Sequence, residues 1–327
     1  MFQWEKLGRL FDPATFARDN FWMQEFAQSP SVLIGERTVR VYFCSRSAQT
    51  PDGQYTSYIS FVDLDRHEPL HIVATCSEPV LTLGACGTFD EFGTNPVSVI
   101  RHDSEIRAYY AGLTRCESVP FNAAIGVAVS RDGGNSFKRL GDGPILSYGP
   151  DEPFVLGSPR VRKFMGQWYL WYVSGRIWLP ADGNARPEPI YKIRMATSVD
   201  GIDWMKFGKD LIEDTLGEQE CQACPDVIFR SGKYHMFFSY RRSRDYKGSE
   251  GGYRMGYATS DDLKQWRRDD ARAGMSVSAS GWDSEMACYP HVFELDDATY
   301  MLYQGNGMGR DGIGLARLRN PDGWIER

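Results

Sequence analysis

Pro159-Arg160-Val161-Arg162-Lys163-Phe164 passes through a short turn, Lys163 to Gln167, into Trp168-Tyr169-Leu170-Trp171-Tyr172. Two runs rich in β-branched and aromatic residues, separated by a few turn residues, predict a tight hairpin. The opening of this hairpin returns along the whole chain. Pro30, Pro96, Pro159, Pro225 and Pro290 are each followed two or three residues later by a valine: Val32, Val99, Val161, Val227 and Val292. The spacings are 66, 63, 66 and 65 residues. A repeat of this length, filled with strand formers, predicts an all-β five-bladed β-propeller of four-stranded antiparallel blades.

Outward from the prolines, each repeat supplies the rest of a blade. Second strands are read at Trp168–Tyr172, Tyr234–Phe238 and Tyr300–Tyr303, and third strands at Ile125–Ser130, Ile193–Ser198 and Met255–Ser260. The third strands end in Ser130-x-Asp132, Ser198-x-Asp200 and Ser260-x-Asp262, each followed by an aromatic residue (Phe137, Trp204, Trp266). Aspartate caps its own turn and the aromatic packs beneath, so these aspartates are read as structural. The last repeat ends a strand short, and Trp4-Glu5-Lys6-Leu7-Gly8 resembles the missing piece. One domain, 1–327, is therefore expected, with blades at about 22–81, 88–146, 152–213, 218–275 and 282–320, the last completed by 2–10. That closure removes exposed sheet edges.

Composition narrows the function. The 327 residues are 42% hydrophobic, with 9 Trp, 17 Tyr and 18 Phe to fill the spaces between blades. A net charge of −6 argues against nucleic acid as a partner. No apolar run approaches the ~20 residues of a membrane span. The N-terminal segment lacks a secretory pattern and the seven cysteines are odd in number, so a cytoplasmic location with reduced thiols is expected.

In an up-and-down meander the short hairpins gather at one end. The longer connections, 45–58, 112–122, 175–191, 241–252 and 305–312, gather at the other, and binding groups are expected there. Counting back five residues from each repeat proline gives Glu25, Glu91, Phe154, Glu220 and Glu285. If the repeats superpose, the four glutamates meet at the central funnel, where they supply an acid and a base or hold a cation such as Ca²⁺. The alternative is a duplicated structural device at the blade junctions. Arg46, Arg115, Arg176 and Arg241 fall 14 to 16 residues after their repeat valines, suited to pairing with those acids or with a sugar carboxylate or phosphate. Cys221-Gln222-Ala223-Cys224 aligns with Cys288-Tyr289-Pro290-His291, but in a strand such residues do not converge on zinc, and buried thiols are expected. Gly305-Asn306-Gly307-Met308-Gly309 lacks the following helix of a phosphate cradle, although Arg310 in the same loop remains a substrate contact.

The proline repeat, the Ser-x-Asp turns and the aromatic second strands resemble the five-bladed furanosidase superfamily, including glycoside hydrolase families 32, 43, 62 and 130. That resemblance implies a carbohydrate substrate and acidic residues beside the repeat prolines. The chain departs at those places. Ser29 and Ser158 stand where aspartates are implied, and Ala223-Cys224-Pro225-Asp226 looks like an invertase-type Glu-Cys-Pro-Asp segment that has lost its acid.

The expectation is then a glycoside hydrolase-like enzyme acting on a glycan, with an anionic sugar favoured. Glu285 or Glu220 would be the acid and Glu91 or Glu25 the base. Arg46, Arg176 and Arg241 would recognise the anionic group, Trp178 and Trp282 would stack on sugar faces, and Arg160, Asp226 and His291 are further candidates. Two alternatives stay open: phosphorolysis, and a glycan-binding propeller that has lost the usual acids.

Overall fold

The structure is a computed structural model, and it describes residues 1–15, 20–180, 186–244, 246 and 248–325. It is all-β, with five four-stranded antiparallel sheets in a ring. Strand β1 (Trp4–Phe11) precedes blade one, which is β2 (Glu25–Ile34), β3 (Thr38–Arg46), β4 (Ser57–Asp65) and β5 (Ile72–Thr75). Blade two is β6 (Thr94–His102), β7 (Glu105–Arg115), β8 (Phe121–Ser130) and β9 (Lys138–Arg139). Blade three is β10 (Leu156–Phe164), β11 (Gln167–Leu179), β12 (Glu188–Ser198) and β13 (Met205–Lys206). Blade four is β14 (Cys221–Arg230), β15 (Lys233–Arg241), β16 (Arg254–Ser260) and β17 (Arg267–Arg268). Blade five is β18 (Cys288–Leu295), β19 (Ala298–Gln304) and β20 (Ile313–Leu318), with β1 as its fourth strand.

As the sequence predicts, the N-terminal segment completes the last blade. Strand β1 pairs antiparallel with β20, from Trp4 opposite Leu318 to Phe11 opposite Ile313. The seam is fastened by Phe2, 1% exposed, whose ring packs with Phe237, Tyr257 and Trp324. Burying one such ring contributes about 1.5–3 kcal/mol. Among the described residues no helix is long and apolar enough to cross a membrane.

The five proline strands β2, β6, β10, β14 and β18 are innermost, and each packs against the first strands of its two neighbours. At every repeat proline the ladder slips. Thus β14 pairs Ala223 with Ser239 and next Asp226 with Phe237, and β18 passes from Cys288–Gln304 to His291–Leu302. A bulge leaves residues unpaired, so a proline without an N–H forfeits no ladder bond there.

The residue before each repeat valine then joins one blade to the next. Ser31 Oγ accepts the Val99 N–H (2.9 Å), Ser98 Oγ the Val161 N–H (3.0 Å), Asp226 Oδ2 the Val292 N–H (2.6 Å) and His291 Nε2 the Val32 N–H (3.0 Å). Blade three carries Arg160 at this position, which has no acceptor and donates instead to the Pro30 carbonyl at 3.0 Å. The Ser-x-Asp turns form as expected. Asp200 Oδ1 accepts the N–H groups of Ile202 and Asp203, and Asp132 and Asp262 repeat the arrangement.

Candidate functional site

Immediately before four of the repeat prolines the backbone is left-handed: Ser29 (φ 52°), Ser158 (φ 47°), Cys224 (φ 46°) and Tyr289 (φ 53°). Such residues cost roughly 1–3 kcal/mol each and persist where surroundings dictate them, as the bulges do here. They bring side chains from blades one, three and four together on the axis. Ser29 Oγ lies 3.2 Å from Cys224 Sγ, which lies 3.6 Å from Ser158 Oγ. Ser29 and Ser158, where the resemblance implies aspartates, thus converge, but on a thiol between hydroxyls. Burial pushes the Cys224 thiol upward, so it stays protonated.

The buried acids that do repeat belong to a different register from the one obtained by counting back from the prolines. Asp90, Glu152, Glu220 and Asp283 are each at most 3% exposed and each clamps a base on the fourth strand of its own blade. Asp90 pairs with Arg139 (2.6 Å), Glu152 with Lys206, Glu220 with Arg268 (2.6 Å) and Asp283 with Lys6 (2.6 Å). In three blades a second-strand tyrosine donates to the same carboxylate: Tyr110 to Asp90, Tyr172 to Glu152 and Tyr303 to Asp283. Glu220 is thereby turned into blade four, where Thr215 and Leu216 amides also bond it. Burial works against its ionisation, yet Arg268 and those amides hold it below the usual carboxylate range, opposite to what a general acid requires.

The other three glutamates lie outside this clamp. Glu91 accepts the Gly87 N–H at 2.8 Å, beside the clamp acid Asp90. Glu25 lies 3.2 Å from Arg310 Nη2, and Tyr55 donates to it at 3.5 Å. Glu285 is half-buried, its backbone N–H bonded to Asn306 Oδ1 at 2.7 Å, and its carboxylate has no partner among the described residues. Near it, Asp311 is pushed upward, mainly by burial, with Asp12 and Glu285 adding negative potential and Arg9 opposing.

The long-loop end holds a cleft of about 660 Å³ between blades one, two and three. Three arginines line it, Arg46, Arg115 and Arg186, together with the rings of Tyr55, Phe92 and Phe121 and with Glu188. Arg46 donates to Gln28 Oε1 (2.7 Å) and lies 4.4 Å over Phe26, while its Nε has no hydrogen-bond partner among the described residues. Arg115 lies 4.6 Å over Phe92 and makes no hydrogen bond or ion pair with the described residues. Arg186 donates to the Asp52 carbonyl, tying the blade-three loop to that of blade one. Glu188 accepts from Tyr246 at 2.7 Å.

The remaining sequence candidates are distributed differently. Trp178 stands against Phe121, ring centroids 5.6 Å apart, and so backs the cleft. Trp282 covers Tyr303 at 5.4 Å and leaves no room for a side chain at Gly305, where a Cβ would sit 2.2 Å from its carbonyl. Arg176 is engaged by Asp210 and by the Asp151 carbonyl (3.1 Å). Arg241, 3% exposed, lies 3.5 Å over Tyr246 and donates to Tyr191 at 3.2 Å. Arg160, Asp226 and His291 form a buried axial cluster: Asp226 Oδ1 is 3.3 Å from Arg160 and 2.7 Å from Arg162, and its Oδ2 is 3.3 Å from His291 Nδ1. Arg310 is exposed and bonds Tyr55 at 3.1 Å. Among the described residues no group of three or more His, Cys, Asp or Glu side chains is placed to hold a metal ion, and Cys221, Cys224 and Cys288 are free and buried.

Comparison with known proteins fixes the lineage. No family model matches the chain. Over 319 residues, 97% of this chain and 99% of the relative, it is 35% identical to Uncharacterized protein Rv1502 of Mycobacterium tuberculosis (strain ATCC 25618 / H37Rv), and equally to Uncharacterized protein MT1551 of strain CDC 1551 / Oshkosh. The chain belongs to the family of these proteins. Its fold is the five-bladed propeller of glycoside hydrolase families 43, 32 and 130. A solved structure of a glycoside hydrolase superposes with a TM-score of 0.72 at 16% identity, covering 95% of this chain and 90% of the other. A GH130 structure, from a study of mannoside phosphorylases and of hydrolases that target β-1,2 mannosidic linkages in Candida mannan, gives 0.71 at 15% identity, covering 98% and 95%. A thermostable family-43 glycoside hydrolase gives 0.65 at 14% identity, covering 92% and 95%.

Within this family fold, the sequence reading found Arg46 and Arg115 but missed Arg186, Tyr55, Phe92 and Asp311. Arg186 lies beyond any repeat register, in a long loop. Asp311 stands in the glycine-rich loop after Arg310, whose backbone pattern drew attention away from its acid.

Proposed function

We propose that this propeller is a carbohydrate-active protein that takes an anionic glycan in the cleft between blades one, two and three. The carrying observation is the pairing of Arg46, Arg115 and Arg186 with Tyr55, Phe92 and Phe121 in one cleft, with Arg115 uncommitted to any carboxylate among the described residues. Guanidinium groups offer paired donors to a carboxylate, sulfate or phosphate, and aromatic rings cover the apolar face of a sugar. The fold shared with glycoside-active propellers supports a glycan over another anion. The Ser29–Cys224–Ser158 contact supports recognition without the three-carboxylate reaction, because no group there takes up or releases a proton near neutral pH. The test is calorimetric titration with matched carboxylated, sulfated and neutral oligosaccharides. Binding confined to the anionic series supports the reading, and equal binding of the neutral series ends it.

A second reading, glycoside cleavage, rests on a separate observation: Asp311, with a raised carboxyl, near the unpartnered Glu285. A carboxyl that holds its proton more tightly than usual, beside a second carboxyl group, is the kind of pair that glycoside cleavage uses. Product release from an anionic oligosaccharide, followed with and without inorganic phosphate, separates hydrolysis from phosphorolysis. Turnover abolished in Glu285→Gln and in Asp311→Asn is expected on this reading, and turnover unaffected by either substitution rejects it.

A further inference from the structure

The axial cluster contains more donors than it can satisfy. Arg160 is 4% exposed, and its Nε and Nη1 have no hydrogen-bond partner among the described residues. The same holds for Arg162 Nε and His291 Nδ1. All four nitrogens are buried and come from blades three and five; Arg160 Nε and His291 Nδ1 each lie 3.3 Å from Asp226, while Arg160 Nη1 and Arg162 Nε face no carboxylate at that distance among the described residues. The one carboxylate among them is Asp226, whose Oδ2 is already bonded to the Val292 N–H at 2.6 Å and whose Oδ1 is shared by both arginines. His291 is neutral at Nε2, because that atom accepts the Val32 N–H. Two guanidinium cations, Arg160 buried and Arg162 with 29% of its side chain exposed, stand against one carboxylate and leave a formal charge of +1 on the axis.

Buried donors without acceptors are costly, and so is an uncompensated buried charge. Both are relieved by the same ligand: a small anion that accepts from several N–H groups and supplies one negative charge. We propose that the axis binds a monovalent inorganic anion of the halide class, held by Arg160, Arg162 and His291. It reaches them from the short-hairpin end, where a cavity of about 600 Å³ has Arg162 and His291 in its lining and Val32, Val99, Val227 and Val292 as apolar walls. Those walls disfavour strongly hydrated divalent anions such as sulfate. The anion links blades three and five to the strand that begins blade one, at the place where Arg160 replaces the acceptor of the other blades. It is independent of the glycan cleft, which opens at the other end.

Thermal unfolding of the full chain in sodium chloride or bromide, against sodium gluconate at equal ionic strength, tests this. Binding to the folded state raises the midpoint logarithmically with ligand concentration. The expected result is an upward shift of a few degrees in chloride and bromide but not in gluconate, together with an anomalous bromide peak between Arg160 and Arg162 in soaked crystals. Arg162→Met, which keeps the Arg160–Asp226 pair, reduces the halide-dependent shift. Equal midpoints of the native chain in all three salts overturn the proposal, as does bromide density absent from the axis, with ordered water then satisfying the donors.

Discussion

His291 Nε2 accepts the Val32 N–H at 3.0 Å, so the bond that joins blade five to blade one at the axis requires a neutral imidazole. Burial, with the positive potential of Arg160, pushes His291 down to about 4, while Asp226 pulls the other way. An unfolded histidine titrates near 6.5. Between about pH 6.5 and 4 the unfolded chain therefore binds a proton that the folded one does not, and stability falls as pH falls. The full difference corresponds to roughly 3 kcal/mol. Urea midpoints followed from pH 7 to 4 are expected to drop across this window, and His291→Gln flattens the drop. An unchanged slope in that variant refutes the assignment.

The clamp acids lose their contribution at lower pH. Glu152, Glu220 and Asp283 are each resisted by burial, but their basic partners hold them below the ordinary carboxylate range. Their stabilisation is present above the unfolded carboxylate values near 4 and disappears as pH falls through the lower folded ones. A second loss of stability, below about pH 4.5 and insensitive to His291→Gln, is expected in the same urea series.

Breaking one clamp costs more than removing it. Arg268 pairs with Glu220 at 2.6 Å, and both side chains are at most 6% exposed. Glu220→Gln leaves the buried Arg268 guanidinium with Asp270, 2.9 Å away, as its remaining carboxylate, so the expected loss is about 1–3 kcal/mol. In Glu220→Gln/Arg268→Met part of that loss returns. A double-mutant cycle by chemical denaturation measures the coupling, and additive losses would show that the pair contributes nothing as a pair.

Closure of the ring by the N-terminus makes Phe2 a stability residue far from any ligand. Phe2→Ala is expected to cost about 3–5 kcal/mol, read as a lower denaturation midpoint, while glycan binding at 25 °C is unchanged. A variant as stable as the native chain would show that strand β1 is held by its ladder alone.

The repeat prolines and valines made the fold legible because every blade must present an inner strand of the same kind to the axis. The bulges, invisible in the sequence, explain why those prolines sit at one register: they occupy the sites that need no N–H. The site was less legible. Loops of unequal length precede the prolines, so counting back five residues landed on Glu91 and Glu285 while the repeating acids were Asp90 and Asp283. Their signature was available in Tyr110, Tyr172 and Tyr303 on the second strands and in Arg139, Lys206 and Lys6 on the fourth. The cleft is assembled by long loops that have no common register, and only its arginines at second-strand ends, Arg46 and Arg115, followed the repeat.

The most direct test is titration of an anionic oligosaccharide into the native chain and into Arg46→Ala and Arg115→Ala. Binding in the native chain that weakens at least about tenfold in each variant is expected, from the loss of one charge-assisted contact of about 1.5–3 kcal/mol. Arg115→Ala is expected to keep the native denaturation midpoint, whereas Arg46→Ala also loses the Gln28 bond and the Phe26 contact and lowers it, so its binding is measured where the variant is fully folded. Native affinity retained in both would place the glycan elsewhere and contradict the account.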